Sequence, residues 1–164
     1  MRIFPFLFLL LFSCREQPTT PVATPSVSTQ IETVASNYSS SYKNIPNGVQ
    51  LPLAAEEELW QLSLQYFEER NIIYLAINDY LWLDQAKTTK QTIFVLTQLA
   101  TRNHALLGAK LQLNPQNGAI TISSEIPVDD SISQSLLEKQ TKQLIQIAAE
   151  EYPMLKHSLS IDLF

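Results

Sequence analysis

The second part of this amino-acid sequence predicts an α+β fold. Residues 88–102 and 131–152 carry apolar side chains at three- and four-residue spacing, which is the helical period. Between them, residues 107–113 alternate apolar and polar side chains, and residues 120–123 do so again after a turn. Such alternation is typical of strands with one buried face, so two helices separated by a β-hairpin are predicted.

Within the helix predicted at 88–102, Thr88 and Gln91 fit a capping box at the start. The apolar stripe that should face the core consists of Ile93, Leu96, Leu99 and Ala100. The last predicted helix, capped by Asp130 or Ser131, should end at Pro153, because proline removes a helical hydrogen bond.

An earlier helix is predicted over residues 54–70, where apolar side chains also recur at helical spacing. Three glutamates, residues 56–58, occupy its first turns, where carboxylates are favourable near the positive end of the helix dipole. The following residues, 72–83, are rich in β-branched and aromatic side chains on both sides of Asn78-Asp79. This pattern predicts a tight hairpin, with a continuing helix as the alternative.

The first 13 residues have the pattern of an export signal. Arg2 precedes the apolar run 3–12, which is shorter than the roughly 20 residues that span a membrane. The next residues, Leu11-Phe12-Ser13-Cys14, resemble the lipobox of bacterial lipoproteins. That resemblance implies that residues 1–13 are cleaved and that the thiol of Cys14 carries a diacylglyceryl group. A plain export signal is the alternative.

Cys14 is the single cysteine, so no disulfide can form within the chain. As a lipid attachment point it would anchor the protein, since each buried CH₂ group contributes about 0.8 kcal/mol. The expected location is therefore the bacterial cell envelope. By resemblance to lipoprotein sorting, Arg15 in place of an aspartate favours the periplasmic face of the outer membrane.

Residues 14–53 combine proline, threonine, serine, glutamine and asparagine with isolated apolar side chains. A segment of this composition buries too little apolar surface to offset the entropy lost on ordering. It predicts a disordered linker between Cys14 and a single domain at 54–164.

Composition and motifs argue against several function classes. The chain has 11 basic and 16 acidic residues with no basic patch, which disfavours a nucleic-acid partner. With two histidines, one cysteine and three glycines, it lacks the usual metal cages and phosphate-binding loops. No cofactor, metal or catalytic residue is therefore predicted. Trp60 and Trp82 are candidate peptide-contact residues, with core packing as the alternative.

The segment 97–155 reads TQLATRNHALLGAKLQLNPQNGAITISSEIPVDDSISQSLLEKQTKQLIQIAAEEYPML. It resembles the YbjN-like proteins and, more distantly, the CesT-like type III secretion chaperones. The resemblance extends over roughly residues 55–157. Its punctuating residues are a helix-ending Asn, a strand Lys, a turn Gly, a strand-closing Pro and a late Tyr-Pro, here Asn103, Lys110, Gly118, Pro127 and Tyr152-Pro153.

This resemblance implies a fold and a function. The implied fold is a helix, an antiparallel sheet interrupted by a short helix, and a long C-terminal helix packed on one sheet face. Three strands normally precede the short helix, whereas residues 71–87 leave room for two, so a smaller sheet is expected. The implied function is polypeptide binding without catalysis.

Together these patterns predict a membrane-anchored lipoprotein with a chaperone-like, non-catalytic domain that binds an envelope protein or peptide. A structural envelope lipoprotein that acts through self-association, for instance as a homodimer, is the alternative. An enzyme is a third reading, and it would require polar groups that converge on one pocket.

Overall fold

The structure is a computed structural model that describes residues 25–55, 58–83, 89–129 and 132–160. The described part is α+β, as predicted, with an N-terminal helix, an antiparallel sheet interrupted by a helix, and a long C-terminal helix. In chain order its elements are α1 (Val27–Tyr38), β1 (Lys43–Ile45), β2 (Gly48–Ala55), β3 (Glu58–Phe67), β4 (Ile72–Trp82), α2 (Thr89–Ala105), β5 (Lys110–Leu113), β6 (Ala119–Pro127) and α3 (Gln134–Ser160).

The six strands form one antiparallel sheet in the order β1-β2-β3-β4-β6-β5. Helix α3 contacts both α1 and α2, so the three helices form one layer on one face of the sheet. Fully buried aliphatic side chains from neighbouring strands pair across this face, as Leu51, Leu62, Ile77 and Ile122 do. The opposite face, which carries Ser63, is called the open face below.

The linker prediction is wrong from residue 25 onward. Helix α1 buries Ile31, Val34 and Ala35 at helical spacing, and strand β2 follows the hairpin turn after β1. The prolines of this region occupy positions that regular structure tolerates. Pro25 precedes the helix N-cap, and Pro46 lies in the hairpin turn.

The helix predicted over 54–70 is wrong, because Glu58–Phe67 form β3 and Glu68–Arg70 form a short 3-10 helix, while residues 56–57 lie outside the described residues. The apolar side chains of β3 fit both the helical period and the two-residue period of a strand, and Trp60, Leu62 and Leu64 are buried on the helix-covered face. Pairing with β2 on one side and β4 on the other selects the strand. The sheet is consequently larger than predicted.

The hairpin predicted at Asn78-Asp79 is wrong, and so is the alternative helix. Strand β4 runs through both residues, and its register with β6 shifts between Ile77 and Leu81, which marks a bulge. Asp79 has a φ of 51°, a conformation that Asn and Asp adopt more readily than other non-glycine residues. The polar pair therefore bends the strand without reversing it.

The predicted second helix and the following hairpin are confirmed as α2, β5 and β6. The predicted stop at Pro153 is wrong, since α3 continues through it to Ser160. The predicted caps Asp130 and Ser131 lie outside the described residues. The structure places Ser133 before the helix, where its hydroxyl accepts the amide hydrogen bond of Leu136.

Residues 1–24, with the predicted signal peptide and Cys14, and Thr88 of the predicted capping box also lie outside the described residues. Within the described ranges, none of the helices combines the length and apolar composition needed to span a bilayer.

Candidate functional site

Trp60 belongs to the core. Its side chain is only 4% exposed, and its ring packs against Tyr80 and Tyr152 with centroid distances of 5.2 and 5.5 Å. The bulge in β4 turns Tyr80 toward α3, where its hydroxyl donates to the carbonyl of Ala148. Burial raises the pKa of Tyr80, which keeps this hydroxyl protonated. Trp60 is thereby removed from the candidate contact residues.

The edge of this aromatic cluster is held by Glu58. Its carboxylate Oε1 accepts hydrogen bonds from the Tyr152 hydroxyl at 2.6 Å and from Lys156 Nζ at 3.0 Å. These two donors, Tyr152 first, lower the pKa of Glu58 below its ordinary value. The contact ties the start of β3 to the last part of α3.

Replacing Glu58 by glutamine is expected to remove an acid-sensitive part of the stability. A carboxyl with a depressed folded-state pKa stabilises the fold above its unfolded pKa, and this contribution is lost as pH falls through the folded pKa. Thermal melts below about pH 4.5 should therefore show a steeper decline in Tm for the wild type than for Glu58→Gln. Parallel declines would contradict the assignment.

Trp82, the other candidate contact residue, is 53% exposed. It is the last residue of β4, and its pairing with Ala119 places it at one end of the open face. Large aromatic side chains are enriched at protein interfaces, and such exposure is uncommon for tryptophan. Trp82 therefore remains a candidate contact residue.

Beyond the end of β4, a cavity of about 460 Å³ lies between α2 and the turn that joins β5 to β6. We call it the corner groove. Its apolar lining includes Leu96 of α2, which is 47% exposed, and Ile93 is a second exposed aliphatic residue on the same helix. The full lining is Leu83, Thr92, Leu96, Leu113, Asn114, Pro115, Gln116 and Gly118.

The turn that forms one wall of the groove is built by its own polar residues. The backbone N–H of Asn114 donates to the carbonyl of Ala119 at 2.8 Å. The backbone carbonyl of Asn114 accepts from the N–H of Gly118, also at 2.8 Å. Gly118 has a φ of 78°, which glycine adopts without strain. Its carbonyl accepts the amide of Leu83 at 2.8 Å, so the turn is fixed to the end of β4.

The core-facing stripe predicted for α2 is confirmed for Leu99 and wrong for Ile93 and Leu96. The structure buries Gln91, Val95 and Leu99, whereas Ile93 and Leu96 are exposed. The buried residues follow one another at intervals of four. This spacing was the sequence signal that could have shown that Ile93 and Leu96 face solvent. Leu96, the principal apolar residue of the corner groove, was instead predicted to face the core and not solvent.

The sheet edges offer little room for an added strand. On β5, Asn103 of α2 forms two hydrogen bonds with the backbone of Leu111, at 2.6 Å to the amide and 2.8 Å to the carbonyl. Strand β1 pairs with only the first three residues of β2. Beyond them, Pro52 has no N–H group that could donate to an added strand. These features disfavour strand addition at Leu111 and at Pro52.

In the described residues, no three His, Cys, Asp or Glu side chains lie together in a way that could hold a metal ion. The corner groove itself is lined by aliphatic, amide and hydroxyl side chains. Such a lining can bury apolar side chains and form neutral hydrogen bonds.

Comparison with solved structures identifies proteins of similar fold. A chain of the ExsC–ExsE complex matches with a TM-score of 0.57 and 13% identity, over 80% of this chain and 97% of that chain. YbjN from E. coli matches with a TM-score of 0.54 and 12% identity, over 79% and 93%. A chain of the HopA1–SchA chaperone–effector complex matches with a TM-score of 0.45 and 14% identity, over 79% of this chain and 99% of that chain.

No protein-family model and no curated protein matches this sequence. The similarity to the ExsC–ExsE chain and to YbjN is therefore one of fold. At that level it confirms the resemblance predicted from the sequence.

Proposed function

We propose that this protein is a membrane-anchored lipoprotein whose domain binds a polypeptide without catalysing a reaction. The observation that carries the proposal is the corner groove, an apolar concavity with Leu96 exposed at its wall. Grooves of this kind accept apolar anchor residues of a partner segment.

The fold comparison supports the same proposal. The similar chain of the ExsC–ExsE structure belongs to a complex of two different proteins. In this chain, Ile93 is a further exposed apolar residue on α2, the helix that contributes Leu96 to the corner groove. A partner that covers these residues would remove exposed apolar area from water, which is the main favourable contribution to most protein association.

Leu96→Asp tests the corner groove, because it places a charge in an apolar wall. After crosslinking in cells, the tagged full-length protein should recover an envelope protein, and Leu96→Asp should reduce that recovery about fivefold or more. Leu107→Asp is the matched control, because Leu107 is 84% exposed and does not line the groove. Equal recovery with wild type and both variants would contradict the proposal.

The anchor is tested separately by Cys14→Ala. Loss of the thiol should abolish incorporation of labelled palmitate and release the protein from the membrane fraction, because the anchoring acyl chains are absent. Fractionation of the wild type should place it in the outer membrane of the cell envelope. If label and membrane attachment both persist in Cys14→Ala, the lipoprotein assignment is wrong.

Self-association is the second candidate function, and the exposed Ile93 and Leu96 on α2 are the observation that favours it. In this alternative the partner is a second copy of the chain, which would form a homodimer. Sedimentation of the full-length protein over a range of concentrations distinguishes the two. A dimer that dissociates in Ile93→Asp would support self-association, and a monomer throughout would exclude it.

A further inference from the structure

The outer edge of β5 is formed by the backbone groups of two residues, Leu111 and Leu113. The N–H of Asn114 donates to the carbonyl of Ala119 across the sheet, so the even-numbered residues of β5 form the hydrogen bonds to β6. Because bonding alternates along an antiparallel strand, Leu111 and Leu113 direct their N–H and C=O groups away from β6. The hydrogen bonds that Asn103 forms with Leu111 from outside the sheet agree with this alternation.

The two edge residues differ in how their backbone groups are satisfied. The side-chain amide of Asn103 bonds both the N–H and the C=O of Leu111, as the peptide groups of an added strand would. Among the described residues, none forms a hydrogen bond with the backbone of Leu113, which lines the corner groove. A backbone donor and a backbone acceptor at the wall of the groove are therefore available to a partner.

The apolar wall of the groove lies on the matching side of the sheet. Leu113 pairs with the fully buried Ile120, so its side chain lies on the face that the helices cover. A residue that paired with Leu113 from outside would direct its own side chain to the same face. On that side the groove presents Leu96 of α2, whose side chain is partly exposed. The described lining has no charged side chain, which favours an aliphatic residue there.

From these contacts we infer that the corner groove binds its partner segment in an extended conformation, as a short strand added to β5 at Leu113. The inference rests on the proposed polypeptide binding and specifies the shape and chemistry of the bound segment. One aliphatic residue of the segment exchanges two backbone hydrogen bonds with Leu113 and packs on Leu96. An α-helix cannot form these bonds, since its backbone groups are already paired within the helix.

Asn103 fixes the register of the added strand. The next outward-facing residue of β5, Leu111, is already bonded on both its groups, so a longer strand would have to displace the Asn103 amide. A second copy of the chain is a poor occupant for the same reason. Antiparallel pairing of two β5 edges about Leu113 would place Leu111 of each copy opposite Pro115 of the other, which has no N–H group.

The test uses the full-length protein in detergent, labelled with ¹⁵N-leucine, and a nine-residue peptide of serine and threonine with one central leucine. NMR should show a saturable shift of the Leu113 amide signal, and exchange of this amide with solvent should slow about tenfold or more. The same peptide with an N-methylated central leucine lacks the donor to the Leu113 carbonyl and should bind about tenfold more weakly. A helical alanine-rich peptide with leucines four residues apart should not compete.

Two variants locate the bound peptide. Leu96→Asp should abolish binding of the leucine peptide, whereas Leu107→Asp, which lies outside the groove, should bind it as the wild type does. In Asn103→Ala the Leu111 amide loses its side-chain partner, so the peptide should now protect Leu111 as well as Leu113.

The outcomes separate this inference from the proposed function. Binding that depends on Leu96 but is equal for the methylated and unmethylated peptides would overturn the extended conformation and leave polypeptide binding in the groove intact. Preferential binding of the helical peptide, or no saturable shift with the leucine peptide, would also overturn the inference. Undiminished binding of the leucine peptide by Leu96→Asp would contradict both the inference and the groove as the binding site.

Discussion

Replacing Trp60 by alanine is expected to lower the free energy of unfolding by about 3–5 kcal/mol, the usual cost of truncating a buried large aromatic residue. The indole fills the space between β3 and α3 and packs edge-on against Tyr80. Its removal leaves a cavity and deprives Tyr80 and Tyr152 of a packing partner. Urea denaturation followed by circular dichroism measures the loss.

Trp82→Ala is the matched control, because the same atoms are removed from an exposed position on the open face. Its effect should stay within about 1 kcal/mol, the range of cross-strand contacts on a solvated surface. Equal destabilisation by both substitutions would contradict the assignment of Trp60 to the core and Trp82 to the surface.

The second large effect is expected for Gly118→Ala. The φ of 78° alone costs an L-amino acid about 1–2 kcal/mol. An added Cβ would also collide with the carbonyl group of Leu83, so the end of β4 would have to move away from the turn. The total loss should exceed about 2 kcal/mol, because the Leu83 amide would also lose its hydrogen bond to Gly118.

Gly108→Ala distinguishes the cost of backbone strain from the cost of the close contact between position 118 and Leu83. Gly108 has a similar φ of 84°, but the nearest atom to an added Cβ is Gln143 Nε2 at 3.5 Å, an ordinary contact distance. The free energy of unfolding of Gly108→Ala should therefore fall by only about 1–2 kcal/mol, the cost of the positive φ alone. If chemical denaturation gives the two variants the same stability, the close packing of Gly118 against β4 is refuted.

The sequence predicts those elements whose local pattern agrees with their tertiary environment. The β5–β6 hairpin is one, because alternating aliphatic residues flank a turn that ends in Gly118. Strand β3 is not, since Trp60, Leu62 and Leu64 satisfy two periods at once, and pairing on both sides selects one of them. Residues 43–55 were missed because Pro46 and Pro52 suggest disorder, although they lie in a turn and on a sheet edge.

The candidate site was harder to predict than the fold. The position of Trp82 along the sheet depends on the bulge after Ile77, which adds residues to β4 relative to β6. The exposure of Leu96 depends on the rotation of α2 about its axis, which is set by packing of Val95 and Leu99. The bulge cannot be obtained from local residue patterns, whereas the four-residue spacing of Gln91, Val95 and Leu99 could have indicated the orientation of α2.

The central claim is that the corner groove receives a polypeptide partner. Its most direct test is a photoreactive amino acid placed at position 96 in the full-length protein, with position 107 as the exposed control. On irradiation in cells, position 96 should give a discrete adduct with a different envelope protein, and position 107 should not. The absence of any adduct at position 96, or the same adduct at both positions, would contradict the claim, and an adduct between two copies of the chain would assign the groove to self-association.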